Sequence, residues 1–423
     1  MNSCCSVCCN KFNKTINKKV TCPFCHFESC KTCLQKYILS IFDNPHCMNC
    51  KNELDREFID SSCSTRFRNI DYKNHLENIL FEKEKARMPE TQPEVERIIK
   101  MRTLREKYHS LLTALRYYRI DRQNALDMEE STEQWDNLIN ATEVYLAQLT
   151  HEMNVLRYDH VEDVTSRNFI KMCPNGECRG FIDDDFVCGI CKKKFCEKCN
   201  EELHENHICN PETVATIKLI NKDTKPCPKC ATMIHKIDGC AQMWCTNCNT
   251  AFDWRTGNLV KGRIHNPHFF EFKKRSREHG DIPCGGRPSI HELNDENASN
   301  EIIDLLIVLH RIDNDIIHRY GDIYDDDNLH LRISYMLNSI SECEFKKELQ
   351  KRDKQKSKNT DVRNIYELFT NSVSDLLRQW ILDKDIDVTQ HVKELVVYSN
   401  GIIDTIRKRY NSKLPRYITL PMS

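Results

Sequence analysis

The stretch CPKCATMIHKIDGCAQMWCTNC, Cys227 to Cys248, holds five cysteines. Four form CxxC pairs, Cys227 with Cys230 and Cys245 with Cys248. Two thiolates at one tight turn make a zinc knuckle, and a structural zinc takes four ligands. Cys240, which follows Asp-Gly, is then a surplus thiol. Such a thiol is roughly a few per cent ionised at pH 7 and is already a good nucleophile. Asp-Gly favours a tight hairpin turn, which would hold the sulfur near the surface. The alternative is a buried, inert cysteine, since free Cys is a common small core residue.

Two more clusters precede this one. The first has four CxxC pairs, Cys5/Cys8, Cys22/Cys25, Cys30/Cys33 and Cys47/Cys50, with Cys4 and Cys9 outside the pattern. Eight thiolates suffice for two tetrahedral sites. The second reads Cys173, Cys178, Cys188, Cys191, then Cys196, Cys199, His204 and Cys209, the last four spaced C-x2-C-x4-H-x4-C. Fifty residues cannot bury much apolar surface. Zinc binding, on the order of 10–16 kcal/mol per structural site, replaces the missing core.

The 25 cysteines fit either disulfides in an oxidising compartment or metals in a reducing one. Pairing as CxxC with interspersed histidines favours zinc. The segment MNSCCSVCCNKF has no apolar core of signal-peptide length, and no apolar run is long enough to span a bilayer. The expectation is a cytoplasmic or nuclear protein without membrane contact. A net charge of -1 gives no support for a general polyanion binder.

The elements that position these clusters are helical. At 423 residues the chain has room for two or three domains. Met101, Leu104, Tyr108, Leu111, Leu115 and Tyr118 repeat at three-four spacing, as do Trp135, Leu138, Thr142, Tyr145 and Leu149. The polar RQNALDMEESTEQ between them reverses the chain, which predicts an antiparallel hairpin, and the prolines of MPETQPEVERI precede its first helix. Ile302, Leu305, Leu306, Leu309, Ile312, Ile316 and Ile317 trace one apolar face in the tail. The lysine-rich KKELQKRDKQKSKNTD reads as a break before a helix around IYELFTNSVSDLLRQWIL. The fold class is therefore small zinc-stapled α+β modules joined by a helical hairpin, with a mainly α-helical C-terminal region. The expected boundaries are 1–60 for the first module, 75–160 for the hairpin, 170–212 and 222–290 for the second and third modules, and 299–415 for the helical tail.

The pair order of the first cluster resembles a RING domain, and the second cluster resembles the in-between-RING zinc domain. With a third cysteine module after them, the order is that of the RBR (RING–in-between-RING–RING) ubiquitin ligases, over residues 1–50 and 173–254. A further likeness is to giant-virus RING finger proteins of the mimivirus type, which share phrases such as CMNCKNELDREFI, GCAQMWCTNCNTAFDWRTG and IHNPHFFEF. The resemblance implies that pairs one and three of the first cluster hold one zinc and pairs two and four another. It also implies two sequential sites in the second cluster, with His207 a solvent-exposed spare.

It further implies that Cys240 accepts ubiquitin as a thioester from a conjugating enzyme and passes it to a substrate amine. The chain departs from the family twice. Gln242 stands where a histidine commonly helps deprotonate the amine, and glutamine is no base near pH 7; His235 is the nearby substitute. In FDWRTG, Asp253 and Arg255 occupy the places of the next knuckle's thiolates. His265, His268, His279 and Cys284 could rebuild that site, which makes five or six zinc ions in all.

Three functions follow. The first is an RBR-type ubiquitin-protein transferase, in the host cytoplasm if viral. The second is a RING adaptor ligase with no covalent step. The third is a non-enzymatic zinc scaffold, with Phe269, Phe270 and Phe272 among basic residues as a nucleic-acid surface. Chain-wide neutrality weighs against that last partner.

Overall fold

The computed structural model describes residues 4–42, 44–158, 169–205, 207–235, 242–245, 248, 250–260, 287–314, 318–320 and 328–420. These divide into two compact units. One contains the described residues up to 260 together with Asn328–Phe345, and the other those from 287 to 320 and from Lys346 onward.

In the first unit the metal-rich modules are short two-stranded ribbons. β1 (Lys19–Thr21) pairs antiparallel with β2 (Glu28–Cys30), and α1 (Lys31–Ile38) follows directly. Cys30 caps α1, its sulfur accepting from the Cys33 amide. Val20, Leu34, Ile38, Leu54, Ile59 and Phe67 make the small core that α2 (Arg56–Ser62) completes. After α3 (Tyr72–Lys85) comes the hairpin of α4 (Met88–Asp127) and α5 (Glu133–Tyr158). Its first helix starts earlier than the sequence predicts, with Pro89 in the opening turn and Pro93 inside. Proline is tolerated in a first turn because the N–H groups there lack helical partners anyway.

Beyond the hairpin, β3 (Lys171–Met172) pairs with β4 (Phe181–Ile182). α6 (Pro211–Asp223) leads into β5 (Thr224–Pro226), paired with β6 (Met233–His235), and β7 (Gln242–Cys245) pairs with β8 (Thr250–Asp253). Two contacts tie the second and third modules to the helices before them, one from α4 and one from the residue that ends α3. Buried Gln92 takes the Phe181 amide at 2.6 Å and donates to the Phe181 carbonyl at 3.0 Å. Buried Ala86 packs among Cys227, Cys230, Cys245 and Phe252. Later in the chain comes α7 (Ile290–Asp295), followed by α8 (Asn300–Ile312), the short turn α9 (His318–Tyr320) and α10 (Leu329–Met336). α10 returns to the first unit, where Arg332, 1% exposed, pairs with Glu84 at 2.6 Å and donates to Thr91 at 2.8 Å. Arg179 lies over the Tyr335 ring, 3.8 Å from its centre.

In the second unit α7 and α8 pack with the greater part of α11 (Glu342–Leu382) and with α12 (Val388–Tyr410) around Leu306, Leu309, Val362, Phe369, Leu377 and Ile403. Ile302, Leu305, Leu306, Leu309 and Ile312 are buried as their spacing predicts; Ile316 and Ile317 lie outside the described residues. The lysine-rich run is no break, since α11 passes straight through it. Lys, Glu, Gln and Arg are good helix formers, and the run has neither Gly nor Pro. Among the described residues no helix is long and apolar enough to cross a membrane.

Candidate metal centres and the third module

Five groups of four side chains converge so that their ligand atoms lie within 4.8 Å of one another. Four ligands about 2.3 Å from a zinc form a tetrahedron with sulfur–sulfur edges of about 3.8 Å. Cys5, Cys8, Cys30 and Cys33 form one group, with Cys8 and Cys30 sulfurs 3.8 Å apart. Cys22, Cys25, Cys47 and Cys50 form the second, with edges of 3.9 and 3.7 Å. These two interleave along the chain. Cys173, Cys178, Cys188 and Cys191 follow at 3.7 and 3.6 Å, and Cys227, Cys230, Cys245 and Cys248 at 3.6 Å on both measured edges.

The remaining group corrects the sequence reading. Cys196, Cys199 and Cys209 are joined by His207, whose Nε2 lies 3.1 Å from Cys199 and 3.5 Å from Cys209. His204 is exposed and is not in the group. Residues two apart in an extended segment face the same side. Here Ile208, 89% exposed, points out between His207 and Cys209.

The donor sets suit a divalent cation. Four thiols this close cannot all ionise unaided, because each thiolate raises its neighbours. The conflict shows in their acidities. Cys25 is held down to about 6 by the Phe27 amide and Cys196 to about 6 by the Cys199 amide, while burial pushes Cys47 and Cys173 up to about 12. Zinc would supply the positive charge that lets all the thiols of a site ionise together, and a site closed by four protein ligands is structural rather than catalytic. The five clusters are consistent with about five zinc ions.

The knuckle turns share one backbone form. At Cys5, Cys22, Cys47, Cys188, Cys196 and Cys227 the amide of residue i reaches the carbonyl of i+5, and the amide of i+4 reaches the carbonyl of i. Residue i+4 is left-handed in each, with φ from 53° to 62°. Asp253 repeats the pattern: its amide reaches Asn258 at 2.9 Å, the Gly257 amide reaches its carbonyl at 2.8 Å, and Gly257 has φ 74°. Its carboxylate stands where the first sulfur would. It accepts from the amides of Arg255 and Thr256 and from the Thr256 hydroxyl at 3.1 Å. The Thr256 amide holds this carboxyl below the usual range. The second thiolate position is therefore Thr256, three residues on, and not Arg255. This knuckle is closed by hydrogen bonds.

Of the remaining candidates, His235 ends β6 with its backbone paired to Thr224, and Gln242 opens β7 opposite Asp253. Cys240, His265, His268, His279 and Cys284 lie outside the described residues, as do Phe269, Phe270 and Phe272. The sequence analysis missed Gln92, Arg179 and Arg332, which lock the modules and α10 in place. Each is a single polar residue with no spacing signature.

No protein-family model matches the chain. Individual proteins do. The chain is 34% identical over 96 residues to an uncharacterised protein of Frog virus 3 (isolate Goorha), across 22% of this chain and 30% of that one. It is 32% identical over 142 residues to an E3 ubiquitin-protein ligase of Dictyostelium discoideum, across 27% of this chain and 16% of the other. To the E3 ubiquitin-protein ligase RNF144A of Homo sapiens it is 38% identical over 79 residues, across 16% and 27%. It thus spans at most 30% of the length of these relatives. The viral likeness is borne out by the Frog virus 3 protein. Over part of its length, the chain is a distant relative of the RBR E3 ubiquitin ligases.

Proposed function

We propose that the chain is an RBR-type ubiquitin-protein ligase carrying ubiquitin as a thioester on Cys240. Nineteen cysteines and His207 would hold its zinc ions. One observation carries this reading: the third module gathers Cys227, Cys230, Cys245 and Cys248 into a single tetrahedron, so its fifth cysteine is surplus. By number that cysteine falls between β6 and β7. The Cys240 thiolate would attack the thioester carbonyl of a ubiquitin-charged conjugating enzyme and expel that enzyme's thiolate. A substrate amine would then attack the same carbonyl, lose a proton, form the amide and release Cys240. His235 is the nearby candidate for that proton. Val7 and Phe24, 48% and 55% exposed at the two leading turns of the first module, offer apolar contacts for the conjugating enzyme.

The test is a thioester trap on zinc-loaded protein with a panel of ubiquitin-charged conjugating enzymes. The expected result is a thiol-sensitive adduct on wild type, a base-sensitive oxyester on Cys240→Ser and none on Cys240→Ala. Gln242 and the thiol-free Asp253 knuckle favour a second reading, a RING adaptor ligase without a covalent step. In that case ubiquitin discharge is accelerated and survives Cys240→Ala. Neither adduct nor discharge across the panel overturns both.

A further inference from the structure

The second unit contains a cavity of about 210 Å³. Among the described residues its lining includes Arg311 of α8, Arg319 of α9 and Arg416 of the segment after α12, and no acidic residue. Three acids elsewhere in this unit are engaged: Asp313 with Arg287, Asp361 with Arg409 and Tyr410, and Asp404 with the Tyr417 hydroxyl. The three arginines are exposed, while Val308, Ile312 and Ile418, which also line the space, are buried. One wall is aromatic. Tyr320 stacks on Tyr366 with ring centres 6.5 Å apart, and the Tyr366 hydroxyl donates to the Arg416 carbonyl at 2.6 Å, tying the segment after α12 to the wall.

Chemistry and size narrow the ligand. Guanidinium groups recognise phosphate and carboxylate through paired, charge-assisted hydrogen bonds. Three of them, with no balancing acid among the described lining residues, suit a dianion better than a single carboxylate. The buried aliphatic residues and stacked rings suit a flat apolar body beside that dianion. The volume is below the roughly 300–1,000 Å³ of cofactor-sized pockets, so the ligand is of side-chain size.

We propose that this cavity binds a phosphotyrosine side chain presented by a partner protein. The phosphate meets Arg311, Arg319 and Arg416, and the ring lies against Tyr320 and Tyr366. This inference is independent of the ligase reading.

The experiment is calorimetric titration of the full, zinc-loaded chain with N-acetyl-phosphotyrosine amide. N-acetyl-phosphoserine amide, N-acetyl-tyrosine amide and inorganic phosphate are the comparison probes. Saturable binding of the phosphotyrosine probe is expected, at least tenfold tighter, roughly, than any comparison probe. Arg319→Ala and Arg416→Ala should each weaken it roughly tenfold or more, by loss of a charge-assisted hydrogen bond. Both residues are exposed, so the variants should fold, with zinc content and circular dichroism unchanged. Lys354→Ala, an equal loss of charge on α11, should bind as wild type does. Equal binding of phosphoserine or inorganic phosphate would reduce the cavity to a plain anion patch and overturn the proposal. So would binding indifferent to the arginine variants, or no binding.

Discussion

His207 and His204 are three places apart, and only one of them reaches three sulfurs. Substituting His207→Ala should cost one of five zinc equivalents, whereas His204→Ala should retain all five. Metal analysis of the purified variants reads the difference, and equal zinc content in both would remove His207 from the site. The contrast shows what could be read in the residues. Two thiols separated by two residues are forced onto one turn, so the CxxC pairs were legible. A histidine in an extended segment is a ligand only if its side of the segment faces the metal, and that depends on tertiary packing. The second position of the Asp253 turn was legible as well: the same two-residue spacing puts it at Thr256, whose hydroxyl bonds to Asp253, and not at Arg255.

At the scale of elements, periodic apolar faces were readable and their ends were not. The α4–α5 hairpin and the buried face of α8 follow three-four spacing. Charge density misled in α11, because a solvated helix needs no apolar stripe along its whole length. The joints between elements left no trace in the sequence. Gln92 satisfies both backbone groups of Phe181 in a buried place. Gln92→Ala should therefore destabilise the first unit by roughly 2–4 kcal/mol, the cost of burying two unpaired polar groups. Amide exchange should quicken at residues 171–182 while the zinc count holds. Unchanged exchange there would mean that the second module does not depend on α4.

Across the whole molecule, the order of cysteine clusters was legible because each cluster is short and local. The return of Asn328–Phe345 to the first unit was not, since it rests on contacts such as Arg332 with Glu84, far apart in the chain. The arrangement of the clusters has a measurable outcome. In the first module each site is closed by pairs that flank a pair of the other, so losing one ion frees β1, β2 and α1, which present the other's ligands. The two sites of the second module follow one another without crossing. Under a chelator titration followed by mass spectrometry under native conditions, the first module should lose its two ions in one step. A populated species with one ion left in that module would contradict this. The Asp253 turn keeps the backbone path of the cysteine knuckles with a carboxylate and a hydroxyl in place of two thiolates. The shape of such a turn is therefore written in its backbone and does not need sulfur at either position.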